Sequence, residues 1–476
     1  MMRPVAIILL YLIISFSAFS QDLSLIVTLN PNDCGNYIRE VHSSLDKVSN
    51  DFRVNWLLEE SYIGQQEKLE KVLNISLDNT VYSDSLYNEL TRKGSTANIY
   101  QEDSMLFSIP IYKINSEVVG LINALNIKKK KKEIFQFPDS ILFSNNNLIK
   151  KEDDNYLILD NTYNELFLRS KNKVFTTNGY TLFNKEVYYD VFKDYSYFDS
   201  LSKHIEGIKE IAYDRVKISN ITFNDTTIDL FCEFPLLKRF DFDKENIGVY
   251  TSPAIVKLDF NLNYLYSINL ESLPDKVNNN ETHHLSPFFF EYFNDGYIIS
   301  MFSENKEVSD ETRPFGKLNI KNSSKEIIFS FLDMSIPKSF QSIHSVVQPS
   351  YIYSDLPIIN HSLLPIEYDV EKQTVTTRDF KGFSYENVES FLKGDFSNTS
   401  IFVINTLYRN DDFLLMLYSK NRKNFKEIYD LSNGTSVYRH KYDGFVIDDR
   451  KSTIIPSGWN KAIYLDKNNQ IVEVTF

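Results

Sequence analysis

The chain has 476 residues, 42% of them hydrophobic, with 64 acidic against 51 basic side chains and a formal net charge of -13. A surplus of that sign argues against a nucleic-acid partner, because neutralising phosphates needs clustered Lys and Arg. The two cysteines, Cys34 and Cys232, are too few for a disulfide framework, and the length suits about two or three folding units.

In chain order, Arg3 precedes an apolar run from Val5 to Phe19, broken only by Ser15 and Ser17. Ala18-Phe19-Ser20 places small residues where a signal peptidase reads, so residues 1–20 are expected to be a secretion signal cut before Gln21. The run is also shorter than the ~20 apolar residues that a membrane span needs. No later stretch reaches that length, so the mature chain is expected to be extracytoplasmic (periplasmic or secreted), with no integral membrane segment.

Leu23 to Leu29 reads as a buried strand, and Asn30-Pro-Asn-Asp33 supplies turn and N-cap chemistry. Ile38, Val41, Leu45 and Val48 follow at helical spacing, which puts Cys34 in the first turn of a helix. A strand from Arg53 to Leu58, a helix around Leu69, Val72 and Leu73, and a short helix near Leu86 and Leu90 come next. Met105 to Gly120 reads as two strands joined at Asn115-Ser116, with Pro110 at the start of the first.

A thiol at a helix N-terminus meets the positive end of the dipole and unpaired N–H groups, which favours the thiolate. Two readings of Cys34 stay open: a monothiol that forms mixed disulfides, or a small residue that fills a helix start. A disulfide between Cys34 and Cys232 demands a close geometry for which the spacing gives no support. The order of elements over residues 21–126, with a cysteine at the first helix and Ser108-Ile-Pro110 before a late hairpin, resembles the thioredoxin-like fold. The resemblance implies Cys34 as nucleophile and Pro110 as the substrate-facing proline, held as a cis peptide. Cys34-Gly35-Asn36-Tyr37 departs from the family's Cys-x-x-Cys in lacking the resolving cysteine, so an outside reductant or the substrate itself must resolve a mixed disulfide.

The lysines from Lys128 to Lys132 read as a solvated linker over residues 127–140 rather than a patch for anionic surfaces. From 141 to 476 the pattern is short strands and polar turns. Apolar strand, polar turn and apolar strand recur at Tyr163 to Phe175, Val256 to Ile268, Gly316 to Phe329, Ile366 to Thr377, Leu417 to Tyr429 and Ala462 to Val474. From the third onward the spacing is about 50 residues, the period of a four-stranded propeller blade. Each hairpin is expected to be the outer pair of a blade. Phe288 to Met301 is an inner pair turning at Asp295-Gly296, and Tyr197 to Ile211 is an inserted helix. The terminal strand at Phe476 is expected to close the ring. Asn155-Tyr-Leu-Ile-Leu-Asp160 and Thr177-Asn-Gly179 resemble the blade pattern of six-bladed NHL-like propellers. The expected fold is therefore mixed: a small α/β thioredoxin-like domain followed by an all-β propeller of six blades. A two-sheet sandwich array is the alternative.

No Gly-x-Ser-x-Gly elbow, His-Glu-x-x-His or glycine-rich phosphate loop occurs. The pair His283-His284 reads as a polar loop, and Asp241, Asp243, Asp448 and Asp449 as turn or surface acids, so neither a metal nor a cofactor is expected. Trp459, in Pro456-Ser-Gly-Trp-Asn460, reads as a loop aromatic available for ligand contact. The favoured role is a non-enzymatic binding or scaffold protein whose propeller loop face meets a peptide, glycan or protein partner. The alternatives are a monothiol redox protein that uses Cys34 and selects clients through the propeller, and a propeller hydrolase of glycans.

Overall fold

The computed structural model describes residues 23–475 apart from 31–34, 49–51, 92–94, 102–103, 126–129, 172, 193–215, 240–246, 271–282, 304–310, 313–314, 322–325, 333, 335, 338–348, 354–355, 362–365, 378–401, 421–422, 443–448 and 460. The segment expected to be a secretion signal, Cys34, the helix expected around Tyr197 to Ile211, and Asp241, Asp243 and Asp448 lie outside the described residues.

The N-terminal unit runs β1 (Leu23–Thr28), α1 (Gly35–Leu45), β2 (Phe52–Leu58), α2 (Gln66–Leu73), β3 (Thr80–Tyr82), α3 (Asp84–Leu90), β4 (Thr96–Gln101), β5 (Ser104–Pro110) and α4 (Ser116–Ala124). Its sheet has the order β3-β2-β1-β4-β5. Strands β1, β2 and β3 are parallel, whereas β4 runs antiparallel to β1, and β5 to β4. The apolar run of β1 follows from its central place, with Leu25 and Val27 fully buried.

The segment expected to be a hairpin at Asn115-Ser116 is a helix. Asn115 Oδ1 accepts the N–H groups of Glu117 (3.0 Å) and Val118 (2.9 Å), an N-cap that starts α4. Burial of Val118, Val119, Leu121 and Ile122 then overrides the strand preference of β-branched residues. The hairpin of this unit is β4–β5 instead. Pro110 is not cis: among the described residues no peptide is, and Pro110 ends β5 opposite Thr96.

The rest of the chain is mostly β, in a propeller arrangement. After β6 (Lys130–Gln136) comes the first blade, β7 (Asn147–Glu152), β8 (Asn155–Asp160), β9 (Glu165–Ser170) and β10 (Lys173–Asn178). Helices α5 (Gly179–Leu182) and α6 (Lys185–Phe192) precede the second, β11 (Lys217–Asn224), β12 (Thr227–Arg239), β13 (Ile247–Leu258) and β14 (Tyr264–Asn269). The third combines β15 (His283–Phe293), β16 (Gly296–Ser303), β18 (Phe315–Lys321) and β19 (Glu326–Phe331), while β17 (Glu311–Thr312) pairs separately with β20 (Ile336–Pro337). The fourth is β21 (Pro349–Tyr353), β22 (Leu356–His361), β23 (Ile366–Asp369) and β24 (Thr374–Thr377). The fifth is β25 (Phe402–Arg409), β26 (Phe413–Lys420), β27 (Lys423–Asp430) and β28 (Thr435–Tyr442). Last come β29 (Ile455–Gly458), β30 (Lys461–Leu465) and β31 (Gln470–Thr475). First strands are neighbours around the ring: β7 meets β11 and β29, β11 meets β15, β15 meets β21, and β25 meets β29.

Five blades, not six, each take their four strands from one stretch of the chain. The remaining four-stranded sheet, β29-β30-β31-β6, is composite, and β6 supplies its outer edge. The described part of the lysine run is strand and not linker: Lys130 to Gln136 pair with β31 and close the ring. Lysines suit that position because charge along an edge strand discourages pairing with another chain. The expected outer hairpins hold for the first four blades. Leu417 to Tyr429 and Ala462 to Val474 instead form middle pairs, β26–β27 and β30–β31. The turn expected at Asp295-Gly296 falls one residue earlier, on Asn294 and Asp295, both with positive φ (46° and 57°). His283 and His284 open strand β15 rather than lying in a loop.

A shared turn device supports the blades. Asp160, Asp259, Asp369, Asp430 and Asp466 each end or directly follow a strand and accept N–H groups from the next residues, as Asp160 does from Thr162 at 2.9 Å. A residue with positive φ follows in each turn: Asn164, Leu262, Gln373, Gly434 and Asn469.

Candidate functional site

Lys150 on β7, Thr222 on β11 and Glu291 on β15 belong to the first strands of three successive blades. Lys150 Nζ forms an ion pair with Glu291 Oε1, and Thr222 Oγ1 donates to Glu291 Oε2 at 2.9 Å. The Tyr292 N–H donates to Thr222 Oγ1 at 3.3 Å, which fixes the hydroxyl that orients the carboxylate. Blades one and three are not adjacent, so a direct contact between them places the pair at the centre of the ring. The side chains of Lys150 and Glu291 remain 17% and 15% exposed. Burial pushes the Lys150 ammonium down, to about 7.

The adjoining first-to-second-strand turns are acidic. Asp153 and Asp154 lie in the first blade, Asp225 in the second and Asp295 in the third, all exposed. Burial and then the charges of Asp153 and Asp225 push the Glu152 carboxyl up. Tyr292 is raised by burial and by Asp225 and Asp295, so these turns share one negative neighbourhood.

A second polar cluster is closed. Lys257 Nζ donates to Asp229 Oδ2 (2.9 Å) and to the Tyr297 hydroxyl (2.7 Å), and the Tyr297 hydroxyl also donates to Asp229. With exposures of 0 to 5%, it ties the second blade to the third and offers no access.

Trp459 is not an open loop aromatic. It is 8% exposed and sits between Gly120 of α4 and Tyr408 of β25, whose ring centroid lies 4.8 Å away. A Cβ on Gly120 would fall 2.9 Å from Trp459 Cδ1, so the glycine permits this approach. Trp459 belongs to the contact between the N-terminal unit and the propeller. There Lys113 Nζ pairs with Asp412 Oδ1 (2.7 Å), Asn410 Nδ2 donates to Glu117 Oε2 (3.2 Å), and Phe107 packs edge-on against Phe413. Lys426 reaches from β27 to donate to the Ala124 carbonyl at the end of α4 (2.8 Å), a favourable place for a cation. Burial pushes the Lys426 ammonium down, to about 7.

Of the other residues singled out in the sequence, Pro110 ends β5, while Cys232 is a free, fully buried thiol in the second blade, its pKa raised by burial and by Glu233. Asp449 serves closure of the ring, with Lys131 Nζ at 2.6 Å from its Oδ2. Lys150, Thr222 and Glu291 escaped sequence reasoning. The available signal was Leu148, Lys150 and Glu152 on one face of a short strand, but alternation alone does not say which face meets the axis. Among the described residues no helix is long and apolar enough to cross a membrane.

No family model matches the chain, and no curated protein matches it in sequence. Solved structures similar to it include a candidate exported protein of Bacteroides fragilis NCTC 9343, 12% identical, with a TM-score of 0.35 over 73% of this chain and 94% of that one. A member of the duf4221 family from Bacteroides vulgatus ATCC 8482 is 7% identical, with a TM-score of 0.35 over 73% of this chain and 96% of that one. The Dos1 propeller is 8% identical, with a TM-score of 0.28 over 80% of this chain and 73% of that one.

Proposed function

We propose that this is an extracytoplasmic binding protein that offers one composite face, made by the N-terminal unit and the first-to-second-strand turns, to a peptide, glycan or protein partner. The observation that carries this reading is the docking of the N-terminal unit on those turns in the fifth blade and the closing sheet, through Lys113, Glu117 and Gly120. The acidic turns of the first three blades share that side of the ring and remain open to solvent. The export segment at the N-terminus supports the compartment. To test it, peptide and glycan arrays are probed with the mature protein and with a variant in which Asp153, Asp154, Asp225 and Asp295 are serine. A signal lost in the variant is expected. No signal, or one that the substitutions leave unchanged, overturns the reading.

The finer assignment, a thioredoxin-like N-terminal domain joined to an NHL-like propeller, belongs to the same proposal. Its support is the strand order β3-β2-β1-β4-β5, with parallel β1 and β2 and antiparallel β4 and β5, and a helix beginning at Gly35 directly after Cys34. The repeated aspartate turns support the propeller half. On this reading Cys34 is a monothiol whose alkylation proceeds as a thiolate well below the free-cysteine value of about 8.5. Alkylation rates measured against pH, with mass spectrometry to locate the label, decide the point. A midpoint at or above the free value removes the redox alternative and leaves the unit as a recognition module.

A further inference from the structure

We infer that Asn433 is a site of self-modification, at which the Gly434 nitrogen closes on the Asn433 side chain, ammonia leaves, and water turns the exposed amide into a carboxylate. The site lies in a turn of the fifth blade, and the inference stands or falls separately from the binding of a partner.

The chain holds two Asn-Gly pairs, Asn178-Gly179 and Asn433-Gly434, in which no side chain shields the backbone nitrogen that follows the asparagine. The fold treats them differently. Asn178 caps α5, and Gly179 is buried, with its N–H donating to the Asn164 carbonyl at 3.0 Å. A Cβ on Gly179 would lie 2.2 Å from Asn164 Nδ2, so the backbone there has no room to turn toward the Asn178 side chain. Asn433 and Gly434 are both exposed in the turn between β27 and β28, and nothing lies within 4 Å of the place a Cβ on Gly434 would take. The Gly434 N–H donates to the Asp430 carbonyl at 2.9 Å, and hydrogen bonds of exposed turns are among the first to open.

The turn also prepares the amide. Asn433 Oδ1 accepts the Thr435 N–H at 2.9 Å and the Thr435 hydroxyl, donors aimed at the oxygen that gains negative charge when the carbonyl is attacked. Asn433 Nδ2, the atom that leaves, donates to Asp430 Oδ2 at 3.2 Å. In the reaction hydroxide takes the Gly434 amide proton, the nitrogen bonds to Asn433 Cγ, and the Cγ–Nδ2 bond breaks. Nδ2 gains a proton from water and departs as ammonia. Water then opens the cyclic imide at one carbonyl or the other, giving aspartate or isoaspartate, and no electrons are exchanged. Either product sets a carboxylate where the amide had donated to Asp430, so attraction becomes repulsion. The disturbance falls beside the N-terminal unit. The Leu431 N–H donates to the Asp412 carbonyl at 2.8 Å, and Asp412 is the partner of Lys113.

The experiment is incubation of the mature protein at mildly alkaline pH in water enriched in heavy oxygen, folded and in urea, with peptide mass spectrometry at both Asn-Gly pairs. In urea both pairs should convert at similar rates. In the folded protein Asn433 should become aspartate and isoaspartate, each carrying a heavy oxygen from the opened imide, while Asn178 converts at least about tenfold more slowly. Thr435→Val removes a donor to the developing charge and should slow Asn433 by about two- to tenfold, whereas Thr435→Ser, which keeps the hydroxyl, should hold the parent rate. Circular dichroism and thermal melting establish that each variant is folded. If Thr435→Val is not, the contrast between the two pairs in the folded parent decides. An Asn433 that stays an amide in the folded protein overturns the inference, as does an Asn178 that converts as fast. A folded Thr435→Val that converts at or above the parent rate does so too, because opening of the turn alone would then govern the chemistry.

Discussion

Replacing Trp459 by alanine should lower stability by about 3–5 kcal/mol and free the N-terminal unit from the propeller. The indole is 8% exposed, lies against Gly120 and meets the Tyr408 ring at 64° and 4.8 Å. An aromatic pair of that geometry adds about 0.5–1.5 kcal/mol beyond its area. Nearby, Phe107 and Phe413 pack with centroids 5.9 Å apart, so removal of the indole opens a cavity in a continuous apolar seam. Hydrogen exchange gives the decisive reading: amides of α4 should lose protection while those of the first three blades keep theirs. Unchanged protection in α4, with a stability loss under about 1 kcal/mol, would falsify this account of the seam. The opposite substitution attacks the same contact. Gly120→Leu forces side-chain atoms into a space where even a Cβ lies 2.9 Å from the indole, and should cost about 1–3 kcal/mol through overpacking.

Lys131→Met is expected to loosen the closure of the propeller. Lys131 Nζ lies 2.6 Å from Asp449 Oδ2 and 2.7 Å from Asp466 Oδ2, and the Tyr464 hydroxyl donates to Asp449 at 2.9 Å. Asp466 is fully buried, so loss of the lysine strands a carboxylate that keeps only the turn N–H groups of Asn468 and Gln470. A wholly buried pair broken this way costs about 3–5 kcal/mol; because Lys131 is 35% exposed, roughly 1–3 kcal/mol is expected here. Thermal melting, and proteolysis within Lys130 to Gln136, should register the change. An unaltered melting point combined with unaltered cleavage would show that strand pairing alone holds β6.

The pH dependence of this clasp has a definite sign. Burial pushes the Asp449 carboxyl up, but hydrogen bonds from Lys131 and Tyr464 and the lysine charge outweigh it and hold the group below its ordinary value. Its contribution is present above the unfolded value of about 3.9 and disappears as pH falls through the lower, folded one. Burial pushes Lys131 down, but its two aspartate partners outweigh that and hold it above its ordinary value. The lysine contribution is complete below about 10.4 and disappears as pH rises through the folded value. The clasp therefore holds throughout the neutral range. In Lys131→Met the stability lost between neutral pH and about pH 3 should be smaller than in the parent, as urea midpoints across that range can establish.

These two contacts, at Trp459 and Lys131, make the N-terminal unit part of the propeller's construction. The chain leaves α4, enters the ring as β6 and forms the outer strand beside β31. Removal of the residues before the first blade therefore takes away an edge strand along with a neighbour, and bares the ladder of β31.

Much of this was legible in the residues alone. The apolar run of β1 and the helical spacing of Ile38, Val41 and Leu45 report local geometry, as do the alternating strands after Glu133, because periodicity is set by the backbone. The aspartate that ends or directly follows a strand, with a residue of positive φ after it, is likewise a local device, and it marks five turns. Other assignments depended on partners distant in sequence. Val118 to Ile122 has the composition of a strand, and the Asn115 cap and burial made it a helix. Five lysines have the composition of a linker, yet Asp449 and Asp466, more than 300 residues away, made part of that run an edge strand. Trp459 has the surroundings of an exposed turn, and Gly120 covered it.

The sequence by itself determined an acidic chain with an apolar N-terminal run, an α/β unit and a β-rich remainder of repeating hairpins, since charge, hydropathy and period are properties of neighbouring residues. Only the tertiary structure decided that five blades are contiguous while the last sheet borrows β6, that the N-terminal unit is bolted to the fifth blade, and that Lys150, Thr222 and Glu291 meet at the axis. The physical reason is common to all three. Ring closure, docking and axial convergence are contacts between residues tens to hundreds of positions apart, and their energies depend on distances that no local pattern encodes.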